Sequence, residues 1–216
     1  MPPIGGIIFC VGVWTKLLDK DSMQGSIMST PTMAISGIIT AAMLSTANAE
    51  PAKQNTLRAE AQQLVQQFGQ RLKPQLIKSM QQGGPVEAIA VCATKAPEIA
   101  SQLSESSGWQ MKRVSLKARN QTSALPDAWE AKVLTAFDQQ AAEGKINGPL
   151  FTDSLEQGSY RFMQAQPVEP LCLHCHGKNL TPDIKASLKQ NYPQDMATGY
   201  QLGQIRGAFS LTKPLD

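Results

Sequence analysis

An antiparallel sheet with helices packed on it, an α+β fold, is the class this sequence predicts, and three observations predict it. Beyond residue 50, apolar residues recur at three- and four-residue steps over two long stretches, as on one face of a helix. Alternating, strand-like segments come later and are few. They are also too far apart for the regular strand–helix alternation of a doubly wound sheet.

The first helix is predicted over residues 52–80, with Leu57, Ala61, Leu64, Val65, Phe68, Leu72, Leu76 and Ile77 on its apolar face. Pro74 should kink it, and Gly83-Gly84 should end it. Pro85 suits the first turn of a second helix, residues 85–104, bent at Pro97. One side of that helix carries Val86, Ile89, Ala93, Ala96 and Ala100; the adjacent seam carries Ile89, Cys92, Ala96, Ile99 and Leu103. Residues 108–117 alternate as a strand does. A helix follows over 126–143, with Trp129, Val133, Leu134 and Phe137 inward, and Gly144 and Gly148-Pro149 close it off. Strands are predicted at 160–168 and 203–212, with a short helix at 181–190 opened by Pro182.

A chain of 216 residues with 42% apolar and 17% charged residues can build a real core, and its mean hydropathy of −0.22 excludes a polytopic membrane protein. No stretch is apolar enough for a membrane-spanning helix. Net charge is +3, with bases scattered rather than clustered, which argues against a nucleic-acid platform.

Residues 1–49 read as a leader. An apolar run from Met33 precedes Ala47-Asn48-Ala49, the small-residue pattern at which signal peptidase cuts. Residues 1–32 lie ahead of a normal-length signal and fit a start codon assigned too early. Cys10 lies there and has no assigned role. The expected mature domain is then 50–216, exported to the periplasm. Lys16 and Lys20 leave with Asp19 and Asp21, so the charge stays +3. Cys92, Cys172 and Cys175 remain, an odd number for an oxidising compartment.

Cys172-Leu173-His174-Cys175-His176 is CxxCH, the attachment signature of c-type haem. Two thiols three residues apart can each add to a vinyl group on one edge of a porphyrin. The imidazole that follows then reaches the iron from below. One covalent haem, tethered by Cys172 and Cys175 with His176 as proximal ligand, is therefore the expected cofactor. A zinc site would need a second ligand pair at matching spacing, and none occurs. A thioredoxin-like redox pair sits early in its fold, whereas 41 residues follow Cys175. A plain disulfide is the remaining competitor. His174, between the thiols, is expected to face solvent or the pocket edge.

His174 cannot easily reach the iron once its neighbours are fixed to the ring edge, and no third histidine exists, so two imidazoles from one chain are not expected at both axial sites. The sixth-ligand candidates are Cys92, a methionine among Met80, Met111, Met163 and Met196, a lysine, or none. Cys92 lies on the apolar seam of the second helix, where it could face a cofactor as an anionic thiolate that favours ferric iron, or serve as a small core residue.

Several segments together resemble a bacterial periplasmic c-type haem family with a PAS-like haem domain. They are Glu87 to Cys92 with Ala96 to Ala100, Val114 to Asn120, Pro126 to Glu130, Cys172 to Gly177, Tyr192 to Asp195, and Gly199 to Ser210. The resemblance covers residues 52–214. It implies a PAS-like antiparallel sheet flanked by helices, a single domain enclosing one haem. It also implies that His176 is paired with Cys92 as distal ligand. The family's Arg-Asn-Pro reads Arg119-Asn120-Gln121 here. Arg119, Arg206 and Lys178 are candidates to neutralise the haem propionates, with solvated surface bases as the alternative. Tyr192 and Tyr200 are candidates to line the pocket.

Two functions follow. One is a redox or gas sensor, in which a small ligand such as CO or NO displaces Cys92 and the change is relayed to a separate signalling or redox partner. The other is a periplasmic electron-transfer cytochrome. Enzymatic catalysis is not expected, because no histidine is left to act as distal acid or base.

Overall fold

The computed structural model describes residues 49–156 and 158–215, which fall within one compact unit. Residues 1–48, which hold Cys10 and all of the expected leader except Ala49, lie outside the described residues.

Helix α1 (Ala49–Ser107) has two arms, because Gly84 leaves helical geometry at φ 67°, ψ −161°. That conformation suits glycine alone, and Pro85 can start the next turn because its missing N–H has no helical acceptor there. The break therefore falls where Gly83-Gly84 predicted it, and Pro74 and Pro97 lie inside the arms. Leu57 through Leu72 on the predicted face are buried, but Ile77 is exposed. Past Leu72, Leu76 and Met80 border a cavity. On the second arm the buried seam is Ile89, Ala96, Ile99 and Leu103, while Val86 is exposed.

Strand β1 (Gln110–Val114) follows, then α2 (Ala128–Ala142). Asp127 caps α2 through the Glu130 amide while the Glu130 carboxylate accepts from the Asp127 amide, a reciprocal capping box. Strands β2 (Phe151–Glu156) and β3 (Ser159–Pro167) form a hairpin turned at Gly158, whose φ of 79° suits glycine. A 3₁₀ turn (Pro170–Cys172) leads into the short α3 (Leu173–His176), and α4 (Pro182–Asn191) and β4 (Ile205–Pro214) complete the fold.

The sheet order is β1-β4-β3-β2, antiparallel throughout. It separates two cores. Met111, Tyr160, Phe162, Phe209 and Leu211 meet the first arm and the end of the second arm of α1. Val114, Met163, Ala165 and Ala208 meet Leu134 and Phe137 of α2 on the opposite face. The α+β class is as predicted. Strand β2 was not anticipated, nor were the 3₁₀ turn and α3; β2 is an edge strand of Phe, Thr, Asp, Ser, Leu and Glu that stays largely solvent-facing.

Candidate functional site

The motif is fixed by backbone contacts from three directions. The amide of Gly177 caps α3 on the Leu173 carbonyl, and a Cβ at Gly177 would stand 2.5 Å from that oxygen. The Tyr200 amide donates to the His176 carbonyl at 2.9 Å, and the Gly199 amide to that of Gly177 at 3.0 Å. Arg119 Nη2 donates to the Cys175 carbonyl at 2.6 Å and to the Ala197 carbonyl at 3.1 Å. Its Nε reaches Asp195 at 3.2 Å, and Asp195 also accepts from the Ala197 amide at 2.8 Å.

The Ala197 carbonyl is also 2.6 Å from His176 Nδ1. A carbonyl can only accept, so Nδ1 carries the proton and Nε2 keeps its lone pair free for a metal. Burial, with Arg206 and Arg119 nearby, holds the imidazole far below its ordinary pKa and keeps it neutral.

His176, Cys172 and Cys175 border a cavity of about 660 Å³ between the two arms of α1 and the sheet. Its walls are mainly aliphatic and aromatic: Phe68, Leu72, Leu76, Ile89, Ala96 and Phe209. Cys175 Sγ lies 3.9 Å from the Pro85 carbonyl. Cys92 comes seven residues after Pro85, two turns and about 10 Å further along the same helix face, and it lines the cavity too. Burial pushes its thiol up, against the opposing pull of Arg113, Arg206 and Arg119. Burial likewise raises Cys175, to about 11.

Six of the sequence-predicted site residues therefore meet at one cavity: Cys92, Arg119, Cys172, Cys175, His176 and Arg206. Tyr192 joins them, and Tyr200 packs edge-on to the His176 ring at 6.3 Å. Met80 and Met111 reach the wall, whereas Met163 is buried on the α2 side and Met196 is exposed. Lys178 opens instead onto a separate surface recess with Lys185 and Lys189. His174 is exposed, its Nδ1 3.1 Å from the Leu171 carbonyl.

Arg113 went unread in the sequence, yet it lines the cavity. The signal was there: Arg113 shares a strand face with Trp109 and Met111, so a cation sits in an inward-facing row. Arg113 and Arg206 are half-buried by area yet packed deep, because the surface they keep borders the cavity. Burial and the neighbouring cations of Arg113 and Arg119 bring Arg206 down to about 10.

The arrangement suits the haem expected from the motif. Among the described residues no three His, Cys, Asp or Glu side chains converge on one point, so a self-contained zinc site has no basis there. One imidazole and one thiol on the wall of an apolar cavity are a donor set for a metal whose other ligands come from a macrocycle.

A family model described as Tll0287-like matches residues 38–214. No curated protein matches the chain. Among solved structures, that of the cyanobacterial heme-protein Tll0287 matches at 24% identity and a TM-score of 0.55, covering 79% of this chain and 98% of that one. At that identity the likeness speaks for the fold, and it agrees with the flanked antiparallel sheet. With the family model spanning most of its length, the chain belongs to the Tll0287-like family.

Proposed function

We propose that this protein binds one haem covalently and acts as a periplasmic redox or gas sensor. Thioethers to Cys172 and Cys175 would hold the haem, with His176 and Cys92 as axial ligands. The observation that carries this reading is the orientation of His176. Its Nδ1–H is committed to the Ala197 carbonyl at 2.6 Å, and its ring borders the cavity that Cys92 also lines. Structural matching to a haem protein and membership of the Tll0287-like family support the same cofactor.

The haem would supply iron redox chemistry and a site for diatomic ligands. The chain's own residues do the rest. Cys172 and Cys175 tether, His176 is kept neutral and aimed, the aliphatic walls exclude water, and Cys92 offers a soft, displaceable donor. A sensor needs such a displaceable ligand, since its exchange is the local event that a partner can read. Export through the leader would bring the chain to a compartment in which thioether attachment takes place.

The test uses exported protein from a host with a working c-type maturation system. A denaturing gel stained for haem should show a coloured band, lost in Cys172→Ser/Cys175→Ser. Ferric and ferrous spectra, with and without CO, then separate the functions. Loss of thiolate ligation on reduction with rapid CO uptake identifies a sensor. Unchanged six-coordination in both states identifies an electron-transfer cytochrome instead. A colourless band refutes both.

A further inference from the structure

Three guanidinium groups border the cavity, and they differ in one respect. Arg119 is committed: Cys175 and Ala197 carbonyls and the Asp195 carboxylate take its donors. Arg113 and Arg206 are not. Among the described residues neither side chain forms an ion pair, and the hydrogen bonds at Arg206 are accepted by its backbone carbonyl, from Ser115 and Tyr200. Arg113 has only the ring of Phe68, 5.5 Å away.

Both reach the cavity from the paired strands β1 and β4. Arg113 pairs with Phe209 across β1 and β4, and Arg206 precedes Gly207 on β4, where the sheet approaches Ser115. Gly207 admits that approach: a Cβ there would collide with the Val114 carbonyl. The burial and mutual repulsion that lower Arg206 are what two sunken like charges without a counter-ion produce. Buried charges are ordinarily paired, and leaving one unpaired is strongly unfavourable. Such a pair of planar forks matches carboxylate oxygens, which guanidinium groups bind in bidentate fashion.

We propose that Arg113 and Arg206 are a carboxylate-binding pair that receives the propionates of the tethered porphyrin, and that Arg119 stands outside this pair as the residue that positions the motif. The inference rests on the haem reading above. It adds Arg113 to the site and gives Arg119 a different task from the one its sequence suggests.

Resonance Raman spectra of the purified holoproteins test it, because the propionate bending band and the bands that report axial ligation are separate. Arg113→Gln and Arg206→Gln should keep the haem-stained band on a denaturing gel and shift the propionate bending band. Their midpoint potentials should fall, since losing a cation beside the iron favours the ferric state. Arg113→Lys and Arg206→Lys keep the charge and guard against folding failure. They should restore most of the potential while the propionate band stays shifted, because an ammonium cannot replace the fork. Arg119→Lys should instead move the ligation bands through Ala197 and His176 and leave the propionate band in place. A propionate band unmoved in the Arg113 and Arg206 variants overturns the proposal. So does movement confined to the iron–sulfur signature, which would make the pair counter-charges for Cys92. A wild-type protein without stained haem removes the underlying reading first, which is a different failure.

Discussion

His176 gains its competence from an atom that has no side chain. The Ala197 carbonyl takes the Nδ1 proton at 2.6 Å and so fixes both tautomer and ring orientation. That carbonyl is itself held by Arg119 Nη2 at 3.1 Å, while Asp195 binds the same peptide segment through the Ala197 amide. A donor shared in this way draws electron density from the carbonyl and moderates how strongly the imidazole pushes on a metal. Cys92, the second proposed ligand, borders the cavity next to cations that favour its anionic form against the cost of burial. Cys92→Ala should therefore leave the haem attached, change the ferric absorption spectrum and raise the midpoint potential, because an anionic ligand that stabilises ferric iron is gone. Identical ferric spectra for the variant and the parent would remove Cys92 from the coordination sphere.

Elements matter here chiefly through α1, whose two arms form opposite walls of the cavity. The first arm is tied to the sheet at its far end. Asp153 of β2 accepts from Arg58 at 3.0 Å, from Gln54 at 2.9 Å and from the Tyr160 hydroxyl at 2.7 Å. Burial opposes the Asp153 charge, but the hydrogen bonds from Arg58, Tyr160 and Gln54 outweigh it and hold the carboxyl below its ordinary pKa. A carboxyl whose pKa is depressed by folding stabilises the fold above its unfolded pKa of about 3.9, and that stability is lost as the pH falls through the lower folded value. Asp153→Ala should cost about 1.5–3 kcal/mol at neutral pH, as for hydrogen bonds to a charged group. The difference from the parent should shrink in acid as the carboxylate is protonated, and thermal unfolding at pH 7 and at progressively lower pH measures both. An equal penalty at every pH would mean that packing, not charge, is what the substitution removes. This clamp could not be read in the sequence, because it joins residues about a hundred positions apart through an edge strand of mixed composition. The break at Gly83-Gly84 and the core strands β3 and β4 could be read, since glycine–proline punctuation and dense apolar alternation are local signals. So could CxxCH, whose spacing is itself the chemistry. Arg113 was half legible, as a cation in an inward row, but its lack of a partner is a property of the fold alone.

In the whole molecule the sheet divides a closed side from an open one. Against α2 it packs tightly around Leu134, Phe137 and Met163, and Glu130 in that layer is fully partnered by Lys112 and Ser210. Against α1 it leaves about 660 Å³, with Arg113 and Arg206 unpaired at the wall. A cofactor filling that space would complete the second core and neutralise those charges, so its binding energy would be concentrated in the elements around it. Those are residues 68–80 and 85–107 of α1, the motif helix α3, and α4, which packs on Ile89 through Ile184 and Leu188, with Leu180 just ahead of it. The α2 layer and the turn end of the β2–β3 hairpin lie away from the cavity, which β3 borders only at Gln166 and Pro167. Amide hydrogen exchange on the Cys172→Ser/Cys175→Ser protein should therefore be uneven. Protection should fall about tenfold or more in residues 68–80, the second arm, α3 and α4, equivalent to about 1.4 kcal/mol of easier local opening, and stay near the parent's in α2 and the turn end of the hairpin. A uniform loss would mean that one cooperative unit spans both faces of the sheet; unchanged protection would mean that the cavity is rigid before it is filled. The uneven pattern is also what a sensor requires, because only a region whose stability depends on the ligand can transmit its change while the remaining scaffold holds still.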